Sequence, residues 1–135
     1  MAFHRGMCSH DTIYYARGRP VDSETGPDFP STFDGLLQLV KTLREPGGCP
    51  WDREQNRQTM KRYVMEECFE LIDAMESDEP SEIAGEIGDV AFNLAFQIQL
   101  AKENDEFEES AVFGAIIEKL TRRHPHVFGD VEVSG

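Results

Sequence analysis

Residues 86–97 read EIGDVAFNLAFQ, and on this stretch the reading of the whole chain turns. Its apolar positions continue a helical pattern that runs through Ile83, Ile87, Val90, Ala91, Leu94, Ala95, Ile98 and Ala101. That pattern is too dense for a surface helix with one narrow stripe. The spacing therefore predicts a central helix beginning at Ser81. Into this run the sequence sets Glu86 and Asp89, three positions apart and so on one helix face. A buried, uncompensated carboxylate is costly enough that it neutralises or finds a partner.

Neighbours in sequence cannot be that partner. Between Tyr63 and Ala101 lie ten acids (Glu66, Glu67, Glu70, Asp73, Glu76, Asp78, Glu79, Glu82, Glu86 and Asp89) and no Lys or Arg. Distant basic groups or metal ions must compensate them. The preceding helical segment carries a matching set, EECFE at residues 66–70, with Glu67 and Glu70 one turn apart on one face. The short connection around SDEP, residues 77–80, favours antiparallel packing, which lets the two pairs face each other. Carboxylates gathered that closely repel and raise one another's pKa, so the arrangement is sensible only around cations. All-oxygen ligation suits magnesium, with manganese as a substitute, whereas a di-iron site wants an ExxH pair on each of two helices. His4, His10, His124 and His126 all lie outside both acidic segments. Magnesium usually comes bound together with a substrate's phosphates. Asp73, Glu76, Asp78 and Glu79 read as a solvated face, and Glu66, adjoining the pair, stands between the two readings.

Working outward, Ser31 or Thr32 can cap a first helix whose apolar positions are Phe33, Leu36, Leu37, Val40 and Leu43, ended by EPGGCP at residues 45–50. Asp52 and Gln55 resemble a capping pair for a second helix. From about Thr59 its apolar stripe is Met60, Val64, Cys68, Leu71 and Met75. Ser110 opens a fourth helix, with Val112, Phe113, Ile116, Ile117 and Leu120 expected inward and an end before Pro125. Residues 1–30, with Gly6, Gly18, Pro20, Gly26, Pro27 and Pro30, read as an irregular extension. One domain is expected over residues 31–130, followed by a tail at 131–135 in which 131–133 is a strand candidate. The fold class is all-α, a four-helix bundle.

Composition excludes several functions. Thirteen basic against 26 acidic residues leave a formal charge of −13, which argues against a grip on nucleic acid phosphates. Cys8, Cys49 and Cys68 are odd in number and lack CxxC spacing, which speaks against a disulfide framework or a zinc knuckle and for a reducing cytoplasm. No stretch reaches the length of a membrane span, and MAFHRGMCSHD lacks the apolar core of a secretory signal. A soluble intracellular protein is expected. For a phosphate-bearing substrate, Lys119 and Arg123 stand four apart beside Arg122 near a helix end, where capping is the simpler role. Lys61 and Arg62 are weaker candidates. Trp51, in CPWD, can stack on a base or anchor its loop to the core.

Four segments, LREPGGCPWDREQ at 43–55, EECFELIDA at 66–74, GEIGDVAFNLAFQ at 85–97 and KLTRRHPHVFGD at 119–130, together resemble a MazG-type nucleoside triphosphate pyrophosphohydrolase domain over about residues 33–130. The resemblance implies an all-α fold assembled as a tight homodimer. It also implies magnesium-dependent hydrolysis of a nucleoside triphosphate to monophosphate and pyrophosphate, in house-cleaning or pool control. Glu67, Glu70, Glu86 and Asp89 are then the metal ligands, and Lys119 and Arg123 contact phosphate. The general base lies among Glu66, Glu67 and Glu70. The pattern is closest to the first domain of double-domain members, and the chain ends soon after HPHVFGD, where longer members continue with further Trp and Lys residues. A partner subunit is therefore expected to help close the nucleotide site. The competing expectation is a weakly active or inactive dimerisation or regulatory domain.

Overall fold

A computed structural model describes residues 28–130. Its helices are α1 (Phe33–Arg44), α2 (Pro50–Glu54), α3 (Arg57–Ser77), α4 (Pro80–Glu103), α5 (Glu109–Arg123) and α6 (Pro125–Phe128). Among the described residues there is no strand, and no helix is long and apolar enough to cross a membrane. The expected N-terminal extension up to residue 27 and the strand candidate at 131–133 lie outside the described residues.

Local chemistry sets most helix ends. Thr32, extended at φ −138°, turns its hydroxyl to accept from the Gly35 N–H at 3.1 Å and so starts α1. Gly35 is buried, and a Cβ there would overlap the backbone carbonyl of Pro30, so the chain can enter α1 this tightly only with glycine. Gly47 at φ +88° turns the chain after α1, and Pro50 opens α2 at a position whose N–H has no helical partner anyway. The expected Asp52–Gln55 cap is not what starts α3. Asp52 lies inside α2, 3% exposed. The cap is instead a reciprocal box one step later: Asn56 Oδ1 accepts from the N–H groups of Gln58 and Thr59, and Thr59 Oγ1 accepts from the Asn56 N–H at 2.9 Å. Asp78, left-handed at φ 58°, closes α3 by donating to the Ala74 carbonyl, and α4 begins at Pro80.

The loop around α2 is clamped from three sides. The Arg44 guanidinium donates to the carbonyls of Asp52 and Gln55, the latter at 3.1 Å, and lies 5.2 Å over the Phe96 ring of α4. Trp51 meets Tyr63 of α3 edge-on, ring centres 5.8 Å apart. Leu37, Val40, Met60, Tyr63, Ala95, Phe96, Ile98 and Leu100 form the apolar core around these contacts.

Helix α3 corrects one expectation. Its buried residues are Met60, Tyr63, Glu67 and Ala74, whereas Cys68 is exposed and Met75 is 60% exposed. The inward line is thus rotated from the most apolar stripe until Glu67 sits on it. Helix α4 is buried mainly along its C-terminal half, while Ile87 in its first half and Leu94 in its second are exposed.

The chain divides into two units, up to Leu100 and from Ala101 onward. Within the second, Lys102 at the end of α4 pairs with Glu109 at the start of α5 at 2.8 Å. No residue of α5 is buried, so Phe113, Ile116, Ile117 and Leu120, expected inward, are exposed. Helical periodicity identifies an apolar face; it does not say what covers it. After Arg123 the chain forms the single-turn helix α6, begun by Pro125, and the expected tail at 131–135 lies outside the described residues.

Candidate metal centre

The inward rotation of α3 and the register of α4 bring three carboxylates together. Glu67 from α3, with Glu86 and Asp89 from α4, each offer one oxygen, and these lie within 4.8 Å of one another. Glu67 is fully buried. Glu86 Oε2 is also buried, and no hydrogen bond reaches it. Glu70, one turn beyond Glu67, lines a cleft of about 440 Å³ together with Asp73, Ala74, Glu82, Gly85, Glu86 and Asp89. Glu67 therefore stands at the buried end, with Glu70, Asp73 and Glu82 toward the open one.

The electrostatics follow from that crowding. Burial, then the negative charges of Asp89 and Glu70, push the Glu86 carboxyl above its ordinary range, and a hydrogen bond with the Asp89 side chain adds to the shift. Without a cation the cluster therefore resists full ionisation. The donor set fits magnesium or manganese: it is all oxygen, acidic, and contains a buried acceptor with no protein donor. Oxygens on opposite sides of magnesium stand about 4.2 Å apart, so modest side-chain rotation closes the present 4.8 Å spread onto one ion.

Of the other residues singled out in the sequence, Glu66 is not among the three converging carboxylates and pairs with Arg62 at 2.7 Å. Lys61 is exposed on the first turns of α3. Trp51 is occupied at least in part by its contact with Tyr63. Lys119, Arg122 and Arg123 are exposed on α5, and Arg122 pairs with Glu118 at 3.2 Å. One residue went unremarked in the sequence: Asn93, 1% exposed, whose Nδ2 donates to the Asp89 carbonyl at 3.0 Å. Its spacing, four after Asp89 and seven after Glu86, was the signal that could have found it.

Residues 55–128 match the profile of the MazG nucleotide pyrophosphohydrolase domain. Over 98 residues the chain is 43% identical to the nucleoside triphosphate pyrophosphohydrolase/pyrophosphatase MazG of Thermotoga maritima, a match covering 73% of this chain and 38% of that protein. The nucleoside triphosphate pyrophosphohydrolase of Escherichia coli K12 is likewise 43% identical over 98 residues, covering 72% of this chain and 37% of that one. YabN of Bacillus subtilis, an uncharacterized protein, is 39% identical over 101 residues, 75% of this chain and 21% of its own length. The chain thus spans well under half the length of these relatives. The all-α fold, the acidic faces of α3 and α4 and a match over more than half its residues agree: the chain belongs to the MazG nucleotide pyrophosphohydrolase domain family.

Proposed function

We propose that this protein hydrolyses nucleoside triphosphates to the monophosphate and pyrophosphate with magnesium as cofactor, clearing aberrant nucleotides or adjusting a normal pool. The observation that carries the proposal is the convergence of Glu67, Glu86 and Asp89 within 4.8 Å at the end of an acidic cleft. Such a cluster has no stabilising purpose of its own, since like charges at that spacing oppose folding. Glu67, Glu86 and Asp89 hold the ion, and Glu70, lining the cleft beside them, is the fourth ligand. Bound magnesium supplies the Lewis acidity that offsets charge developing on the phosphate oxygens.

The chain's own residues do the rest. A carboxylate among Glu66, Glu67 and Glu70 takes the proton of the attacking water as its oxygen bonds to the α-phosphorus. The bond from that phosphorus to the bridging oxygen breaks, and pyrophosphate leaves with the electron pair. Glu66, already held by Arg62, is an oriented acceptor that the metal does not need. Lys119 and Arg123 meet the phosphate charge, with Arg122 and Lys61 in supporting positions and Trp51 beside the base. These assignments rest on the family's motifs, which this sequence keeps.

The protein acts as a homodimer in the cytoplasm on a free nucleotide, with neither nucleic acid polymer nor membrane as partner. The exposure of Met65, Phe69, Ile72 and Met75 along α3, and of Ile116, Ile117 and Leu120 on α5, supports a covering second copy. Sedimentation at low micromolar concentration should show a species of twice 15.3 kDa; a 15.3 kDa species alone rules the dimer out. Activity is tested by quantifying pyrophosphate from a panel of normal and damaged nucleoside triphosphates with magnesium or manganese. Release that depends on the metal is expected. No release from any nucleotide would favour a dimerisation or regulatory domain instead.

A further inference from the structure

Asn93 is the one buried polar side chain of α4 that shares the carboxylate face and is not itself an acid. It is 1% exposed, and its Nδ2 donates to the Asp89 carbonyl at 3.0 Å. A carbonyl oxygen can only accept, so that contact fixes which end of the amide is which. The remaining end, Oδ1, is buried and receives no hydrogen bond. A buried acceptor left without a donor is unfavourable, and native structures rarely tolerate one without a reason.

Helix geometry says where that oxygen can find a partner. Asn93 is four residues beyond Asp89, about 40° around the helix, and seven beyond Glu86, about 20° short of two full turns. Side chains on a helix lean toward its N-terminus, which from Asn93 is toward Asp89 and Glu86. Glu67 and Asn93 are both essentially inaccessible, while Glu70 and Glu82 line the open cleft. Ionised carboxylates accept and do not donate, so the cluster, once fully ionised around a cation, cannot satisfy another oxygen. A hydrated cation can satisfy both at once.

We infer that Asn93 supplies an uncharged oxygen to the hydrated cation held by Glu67, Glu86 and Asp89, and is a positioning residue of the metal centre. This rests on reading the cluster as a cation site. An uncharged donor at the buried end adds coordination without adding to the repulsion among the acids, which a further carboxylate would do.

The test is titration calorimetry of magnesium and manganese, without nucleotide, into the unmodified protein, Asn93→Leu and Asn93→Asp. Both replacements remove the N–H donated to the Asp89 carbonyl, but only Asp keeps an oxygen. Asn93→Leu should bind metal about tenfold or more weakly, the usual cost of removing a group that supports metal ligands. Asn93→Asp should bind at least as tightly as the unmodified protein. Equal losses in the two variants would assign Asn93 to the Asp89 carbonyl alone, and Leu binding within twofold of the unmodified protein would leave it no part in the centre; either result overturns the inference. Should the variants not fold, the Asn93 side-chain amide resonances of the unmodified protein must shift on adding magnesium, and their indifference to the metal overturns it as well. An unmodified protein that binds neither ion defeats the cation site itself, a failure distinct from binding that ignores residue 93.

Discussion

Replacing Glu86 by Gln should make the metal-free protein more stable while removing most of its response to magnesium. Two unit charges 4.8 Å apart repel by about 3.5 kcal/mol at an effective dielectric constant of 20. Glu86 meets two such neighbours, but it is only partly buried, so solvent screens much of that cost. The net gain from Gln at neutral pH is then about 1–2 kcal/mol, or several degrees in melting temperature. A raised folded-state pKa means that the stability linked to this carboxyl is fully present below its ordinary value of 4.5 and is lost as pH rises through the raised value. The advantage of Gln should therefore be absent at acid pH and grow toward neutrality. Magnesium at a hundred times its dissociation constant stabilises the unmodified protein by about 2.7 kcal/mol, and a variant lacking one ligand should gain little. Thermal unfolding in EDTA and in magnesium, across pH and at one protein concentration, reads all of this. A variant that melts lower than the unmodified protein in EDTA, or gains as much from magnesium, would refute the reasoning.

Glu70→Gln should reduce turnover by about a hundredfold or more even at saturating nucleotide, whereas Arg123→Ala should lower kcat/KM by about tenfold and leave nucleotide-free magnesium binding unchanged; pyrophosphate release and calorimetry on both variants check the division of roles. Gly35→Ala should cost about 1–3 kcal/mol in urea unfolding, because its methyl group meets the Pro30 backbone, which cannot step aside as a flexible side chain would. Lys102 lowers the pKa of Glu109 through their hydrogen bond, so this pair stabilises above the ordinary carboxylate value of 4.5 and its contribution fades as pH falls through the lowered one. Lys102→Met should cost about 0.5–1 kcal/mol at pH 7, the modest figure suited to a pair about one-third exposed, and nothing at strongly acid pH, by urea unfolding at both.

Sequence alone determined what depends on near neighbours. The i, i+3 spacing of Glu67 with Glu70 and of Glu86 with Asp89 is a property of the helix itself, as are a cap at Ser31 or Thr32, of which the fold uses Thr32, and the end of α5 before Pro125, so these were legible before any packing was known. What only the tertiary structure decided is how each helix is rolled about its axis and which oxygens end up without donors. On α3 the stripe through Met60, Val64, Cys68, Leu71 and Met75 and the line through Met60, Tyr63, Glu67 and Ala74 differ by about one residue's rotation, and composition favours the first. The second is buried because neighbouring structure meets that side, with Tyr63 against Trp51 and Glu67 against Glu86 and Asp89. Asn93 escaped notice for the same reason. An amide in an apolar run is unremarkable until its Nδ2 is found on the Asp89 carbonyl, leaving a buried oxygen on the carboxylate face without a donor. Periodicity records which side chains share a face, and burial is set by whatever packs against that face, often from residues distant in sequence.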